Sequence, residues 1–304
     1  MRLLYTLLFF SITLLSATAC EREAGTKDSP AQPAAEGRME GRDAVDDSVH
    51  VPRVADPKLK AELQRELKQI MAVRNAADRP DEIQSMIVDL QALFKVLTVT
   101  ARAFDKQGQF TKEIQAEMGR FRNSDETVKD DAGRIMNGLT GVYNMYAILA
   151  KMRFVGREEQ QRQIQGIHNA TVSMFKPDIQ AVRAAAAIAK SVYMLCTMIM
   201  RDIDSEGLYI EAFEQIEDRY KEGNKVSSMD EDRYINGVFR TFEVSQLWAL
   251  WMNPAERSKI SGLSGEIAGK SARAESVGEQ MSVATEYLYR ISLHIAAETV
   301  SLTL

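Results

Sequence analysis

From Asp56 onward, apolar residues recur every three or four positions, which is the spacing of one buried helical face. Leu59, Leu63, Leu67, Ile70 and Met71 form the first such stripe, and Ile83, Ile87, Leu90, Phe94 and Leu97 the second. Punctuation sets the boundaries. Asp56-Pro57 supplies a cap with Pro at the first helical position, and Asp78-Arg79-Pro80 breaks the first helix. The pattern then predicts helices over 81–104, 110–121, 125–154, 157–175, 178–203, 208–220, 228–252 and 254–299. Capping boxes are expected at Asn123/Glu126 and Ser228/Glu231, and a third start at Asn253-Pro254-Ala255-Glu256. Residues 221–227 read as a loop. The 178–203 segment is apolar on most faces and carries Ala181 and Ala184 to Ala187, as expected of a central helix. Arg183 and Lys190 interrupt it, so packing is preferred over a membrane span. Gly262, Gly265, Gly269 and Gly278 thin the last helix, each interior Gly costing roughly 1 kcal/mol against Ala. No useful strand-like alternation occurs, and no repeat of the 34- or 40-residue kind is found. The expected fold is all-α: a multi-helix bundle of about eight or nine helices over 57–304, one folding unit, after a disordered tether.

Ahead of the helices, the pattern changes twice. Met1-Arg2 precedes an apolar run from Leu3 to Leu15, and the small residues Ser16-Ala17-Thr18-Ala19 lead to Cys20. That is the layout of a secretory signal peptide, too short to span a bilayer. Thr18-Ala19-Cys20 resembles the lipobox of bacterial lipoproteins, with Ala17 where those proteins usually carry Leu. The resemblance covers residues 1–20 only. It implies cleavage after residue 19 and acylation of Cys20, each buried CH₂ adding roughly 0.8 kcal/mol to the anchor. Glu21 follows, not the Asp that retains such proteins in the inner membrane, so the resemblance implies the periplasmic face of the outer membrane. Residues 20–56 then form the lipid-bearing Cys and a linker. Positions 21–56 hold nine acidic and five basic residues and almost nothing to bury. A flexible chain of that length spans about 30–36 Å root-mean-square.

Composition narrows the function classes. The chain is 45% hydrophobic and 27% charged, with a net charge of −5. A pI near 5.5 argues against a nucleic-acid partner. With Cys20 acylated, Cys196 has no disulfide partner, and its apolar surroundings favour burial over reactivity.

Candidate chemistry is sparse. His50, His168 and His294 sit in no catalytic motif, and no cofactor signature is present. Asp202, Asp204 and Glu206, followed by Gly207, resemble the first half of an EF-hand calcium loop. Position twelve is Phe213 rather than the bidentate Glu, so these are weak metal candidates and an acidic turn is the simpler reading. The second constellation is aromatic. Tyr234, Phe239, Phe242, Trp248 and Trp251 share one helix, with Tyr287 and Tyr289 as further members. Core packing is the plain expectation; a partner surface through Tyr234, Trp248 and Trp251 is the functional one.

Three functions follow as expectations. The first is a membrane-anchored periplasmic module that binds a protein partner, either an envelope assembly factor or an immunity protein against a toxin. The second is a cell-envelope hydrolase using paired carboxylates such as Glu211, Glu214 or Asp230. The third is a carrier of a small ligand or metal. The sequence favours the first.

Overall fold

The computed structural model describes residues 54–175 and 179–300. The signal segment, nearly all of the tether, and with them Cys20, Glu21 and His50, lie outside the described residues. The described chain is all-α. Its ten α-helices are α1 (Pro57–Ala76), α2 (Glu82–Phe104), α3 (Thr111–Thr127), α4 (Asp131–Arg153), α5 (Glu158–Val172), α6 (Ala181–Ile203), α7 (Ile210–Val226), α8 (Asp230–Met252), α9 (Arg257–Arg273) and α10 (Val277–Thr299). A 3₁₀ turn, Pro254–Glu256, precedes α9.

Helix length alternates. The even-numbered helices each have 23 residues. The odd-numbered ones have 20, 17, 15, 17 and 17. Every long helix packs most extensively on two other long helices, in the cyclic order α2, α4, α6, α8, α10 and back to α2. They therefore form a closed inner ring. Every short helix lies outside it, chiefly against the long helix that follows it in the chain. The long helices run parallel. A Cβ on Gly278, at the start of α10, would meet Glu82 at the start of α2, and Cys196 meets Ser245 in the last third of α6 and α8. Their aligned dipoles are met by acids in the first turns (Glu82, Asp131, Asp230, Glu279) and bases in the last (Arg102, Arg153, Arg201).

Burial explains the alternation. The long helices carry apolar residues on both sides, since they face the ring axis and the outer layer together. The short helices bury only one narrow stripe, such as Ile114 and Phe121 in α3 or Phe213 and Ile216 in α7. Long helices α2 and α6 are long and apolar enough to cross a membrane, yet most of each apolar window is buried in the ring. On the axis, Leu93, Val142, Val192, Thr241 and Leu288, one from each long helix, surround a void of about 20 Å³. That is room for roughly one water, in an apolar lining that offers it few partners. Further along lies a buried polar cluster of Tyr146, Cys196, Ser245 and Ser292. Phe104 and Trp248 meet at 6.2 Å near the C-terminal end of the ring, although α2 and α8 are not ring neighbours.

The hairpins repeat at roughly 50-residue intervals, the long helices starting at 82, 131, 181, 230 and 277. A search at 34 or 40 residues misses this period. The repeat is closest between the segment from α2 into α4 and the segment from α6 into α8, which superpose in sequence at one constant offset. Asp105 matches Asp204, and Gly108 and Gly207 both have φ of 69°. Phe94 stacks on Phe121 at 3.9 Å, and Tyr193 on Tyr220 at 4.2 Å. Asn137 Nδ2 donates to the Phe121 carbonyl at 3.2 Å, and Asn236 Nδ2 to that of Tyr220 at 3.0 Å. Gly138 lets α4 approach Leu90, and Gly237 lets α8 approach Ala189, where a Cβ would lie 2.7 and 3.0 Å from its neighbour.

Several boundaries differ from the sequence expectation. The Asn123/Glu126 box lies inside the last turn of α3, and Asp130 caps α4 through the Gly133 amide. Helix α7 continues through the expected loop to Val226, and α8 starts after Met229 without a side-chain cap, so Ser228/Glu231 is not a capping box. Asn253 opens a 3₁₀ turn and makes no side-chain cap. The expected final helix is two, because Ser276 and Glu279 form a true capping box that starts α10. This accounts for ten helices in place of eight or nine.

Candidate functional site

The acidic turn 202–207 is a hairpin joint. Arg153 and Arg157 both pair with the Asp202 carboxylate, Arg153 Nε at 2.5 Å. Asp204 is buried and accepts from the Leu208 and Tyr209 amides, each at 2.8 Å. Glu206 is exposed. Asp105 does the same work two hairpins earlier, accepting from the Phe110 amide at 3.1 Å and the Thr111 hydroxyl at 2.9 Å, in a turn with no run of acids. The shared requirement is a carboxylate to satisfy orphan amides at the start of a helix and a Gly with positive φ. Among the described residues, no three His, Cys, Asp or Glu side chains gather in a way that would hold a metal ion.

The aromatic set fills the ring. Tyr234, Trp248, Phe239, Phe242, Tyr287 and Tyr289 are all buried, and Trp251 is half-buried. The Tyr234 hydroxyl lies 3.0 Å from Thr285 Oγ1, and Phe242 meets Tyr287 edge-on. A partner surface built on Tyr234 and Trp248 would require opening the core. Cys196 is fully buried, and burial pushes its thiol up to about 12, so thiolate is suppressed. Burial, and next Lys259, lowers the pKa of His294, whose Nε2 has no hydrogen-bond partner. Glu211 and Glu214 are exposed on α7, and Asp230 pairs with Arg233.

Concave surface lies instead on the outer wall, where neighbouring short helices part above a long one. The larger groove runs between α1 and α3 with α2 as its floor, and encloses about 550 Å³. Ile70, Val73, Phe94, Met118 and Phe121 supply apolar lining, and Val73 is 63% exposed. The Phe94–Phe121 stack fits because position 141 on α4 is Gly; a Cβ there would lie 2.8 Å from one ring and 2.9 Å from the other. Most charges at the rim are already answered. Glu66 takes Arg102 at 2.7 Å, Arg74 takes the buried Asp89 at 2.9 Å, and Asp125 accepts from Gln91 at 2.8 Å. Burial outweighs Arg74 at Asp89 and raises its carboxyl above the ordinary range. Lys95 and Arg122 also line the groove, are exposed, and have no ion pair or hydrogen bond among the described residues.

A second groove of about 480 Å³ lies between α3 and α5 above α4. It is more polar and internally satisfied. Glu117 is held by Arg120 at 2.6 Å and by Asn144 at 3.0 Å, Lys151 faces Glu113 at 3.3 Å, and His168 Nδ1 lies 3.1 Å from the Tyr143 hydroxyl.

Sequence reading placed Phe94 on a helical stripe but gave no role to Lys95, Met118, Phe121 or Arg122. The signal that finds them is the match two hairpins along the chain, which aligns Phe94 with Tyr193 and Phe121 with Tyr220. Comparisons with protein-family models, curated proteins and solved structures give no match to this chain.

Proposed function

We propose that this chain is a lipid-anchored envelope protein of the periplasmic side, and that its helical ring binds a protein partner along the groove between α1 and α3. The observation that carries the binding half is that groove: an apolar floor with two cations that nothing in the described fold neutralises. Exposed apolar surface rimmed by polar and charged groups is the pattern of an interface. The anchor half rests on the Arg2 to Cys20 segment. A tether of about 30 Å would give the groove a reach of that order from the bilayer surface.

A photo-crosslinking amino acid placed at Val73 in the full-length chain tests the binding half in intact cells. A discrete adduct is expected at Val73 and not at Glu206, which sits in a hairpin turn away from the groove. Equal adducts at both positions, or none, would overturn it. Cys20→Ser tests the anchor: acyl mass and membrane fractionation are both expected to be lost.

A further inference from the structure

Resting on that reading, we infer that the α1–α3 groove receives an amphipathic helix with acidic residues beside its apolar stripe, Lys95 and Arg122 pairing with the acids. Three observations carry this. The first is shape. The groove is an open trough between two helices that run the same way, lined from Glu66 on α1 to Ala77 just past its end. That stretch is about 16 Å at 1.5 Å per residue, or roughly three helical turns. A helix laid there packs its apolar stripe on the exposed Val73 and half-buried Met118, over the largely buried Ile70 and aromatic stack, the helix-in-groove mode of recognition.

The second observation is the internal repeat, which separates what the hairpin needs from what this groove adds. Both repeats keep the aromatic stack, so the stack belongs to the fold. Lys95 aligns with Met194, so a cation at that position is not required for hairpin packing. Arg122 aligns with Lys221, which pairs with Glu217 at 2.8 Å. The residue aligned with Glu217 is Met118. Where the second repeat has a carboxylate, the first has an apolar side chain in the groove wall, and Arg122 has no ion pair among the described residues.

The third is charge complementarity. Glu66 shares Arg102 with Glu62, and Asp125 accepts from the neutral Gln91 amide and keeps its charge, so Lys95 and Arg122 are the lining cations without a hydrogen bond or ion pair among the described residues. Acids on a docked helix can pair with Lys95 and Arg122 at the same time, whereas bases find Asp125 as the one carboxylate of the lining without an ion pair among the described residues.

The test uses the full-length chain in lipid nanodiscs and two labelled 18-residue peptides sharing one leucine stripe, flanked by Glu in one and by Lys in the other. Fluorescence anisotropy is expected to show the Glu peptide bound and the Lys peptide bound at least about fivefold more weakly, a ratio worth one exposed ion pair. Lys95→Met, which copies the other repeat, is expected to weaken the Glu peptide by up to about fivefold with the melting temperature unchanged. Lys95→Glu with Arg122→Glu is expected to reverse the preference. Equal binding of both peptides, no binding, or binding to empty discs would overturn the inference. If the Val73 crosslink persists while the peptides show no preference, the helix falls and the groove reading stands. If the crosslink is absent, the groove reading itself falls.

Discussion

The segment from α2 into α4 and the segment from α6 into α8 are built alike and spend their polar groups differently. In the second, Glu217 accepts from Lys221 and Arg201, and Glu243 holds both Arg219 and the buried Arg240. In the first, the positions of Glu217 and Arg240 are Met118 and Gly141, and Arg120 is answered by Glu117 on its own helix. Beside its aromatic stack, the second repeat pairs Lys221 and Arg219 with carboxylates. The other has the same aromatic floor, Met118 in place of the carboxylate, and two cations facing a trough. Shared features thus mark what holds a hairpin to the ring, and unshared ones mark where this surface departs from that requirement.

The comparison can be broken most forcefully in the core. Phe94→Ala and Tyr193→Ala are each expected to cost about 3–5 kcal/mol in urea unfolding, because each deletes half of an equivalent buried stack. A large loss at one and a negligible loss at the other would end the equivalence. Glu243→Gln is expected to cost a similar roughly 3–5 kcal/mol, since Arg240 is 3% exposed and would be left buried without its carboxylate. Asn144→Ala, at the aligned position, should cost about 1 kcal/mol, the loss of one hydrogen bond to Glu117.

Smaller effects sharpen it. Asp105→Ala and Asp204→Ala each remove the carboxylate that satisfies the start of a short helix, and each should cost about 1–2 kcal/mol. Calcium is expected to leave the melting temperature of the parent chain unchanged; a calcium-dependent rise lost only in Asp204→Ala would separate the two turns. The smallest effect is a pH dependence outside the repeat pair. The folded pKa of His294 lies below its ordinary value, chiefly through burial. Its contribution is therefore full above the unfolded pKa near 6.5 and is lost as pH falls through the lower folded value. His294→Leu should flatten that part of the stability profile, as followed by thermal melts between pH 7 and 5.

Much of this architecture was legible in the residues. The stripes through Leu63, Leu67 and Ile70, and through Ile87, Leu90 and Phe94, define buried faces that the ring does bury. Asp56-Pro57 starts α1 as expected, with the Asp56 side chain accepting from the Lys58 amide. Local capping signals were less reliable. Asn123 and Glu126 fit a capping box, yet α3 runs through them, because tertiary packing decides where a helix stops. The ring itself was hidden, since helical periodicity reports that a face is buried and not against which helix. Tyr234 and Trp248 read first as core and second as a partner surface, and both are buried. The groove was the least legible part: Lys95, Met118 and Arg122 fall on three separate turns of two helices, and each alone is an ordinary surface residue.

Met118→Glu tests the central claim most directly, because it gives Arg122 the carboxylate that Lys221 already has in the other repeat. The account predicts an unchanged or higher melting temperature together with loss of the Val73 crosslink and at least about fivefold weaker binding of the acidic helical peptide. Undiminished binding and crosslinking in a folded Met118→Glu chain would contradict it.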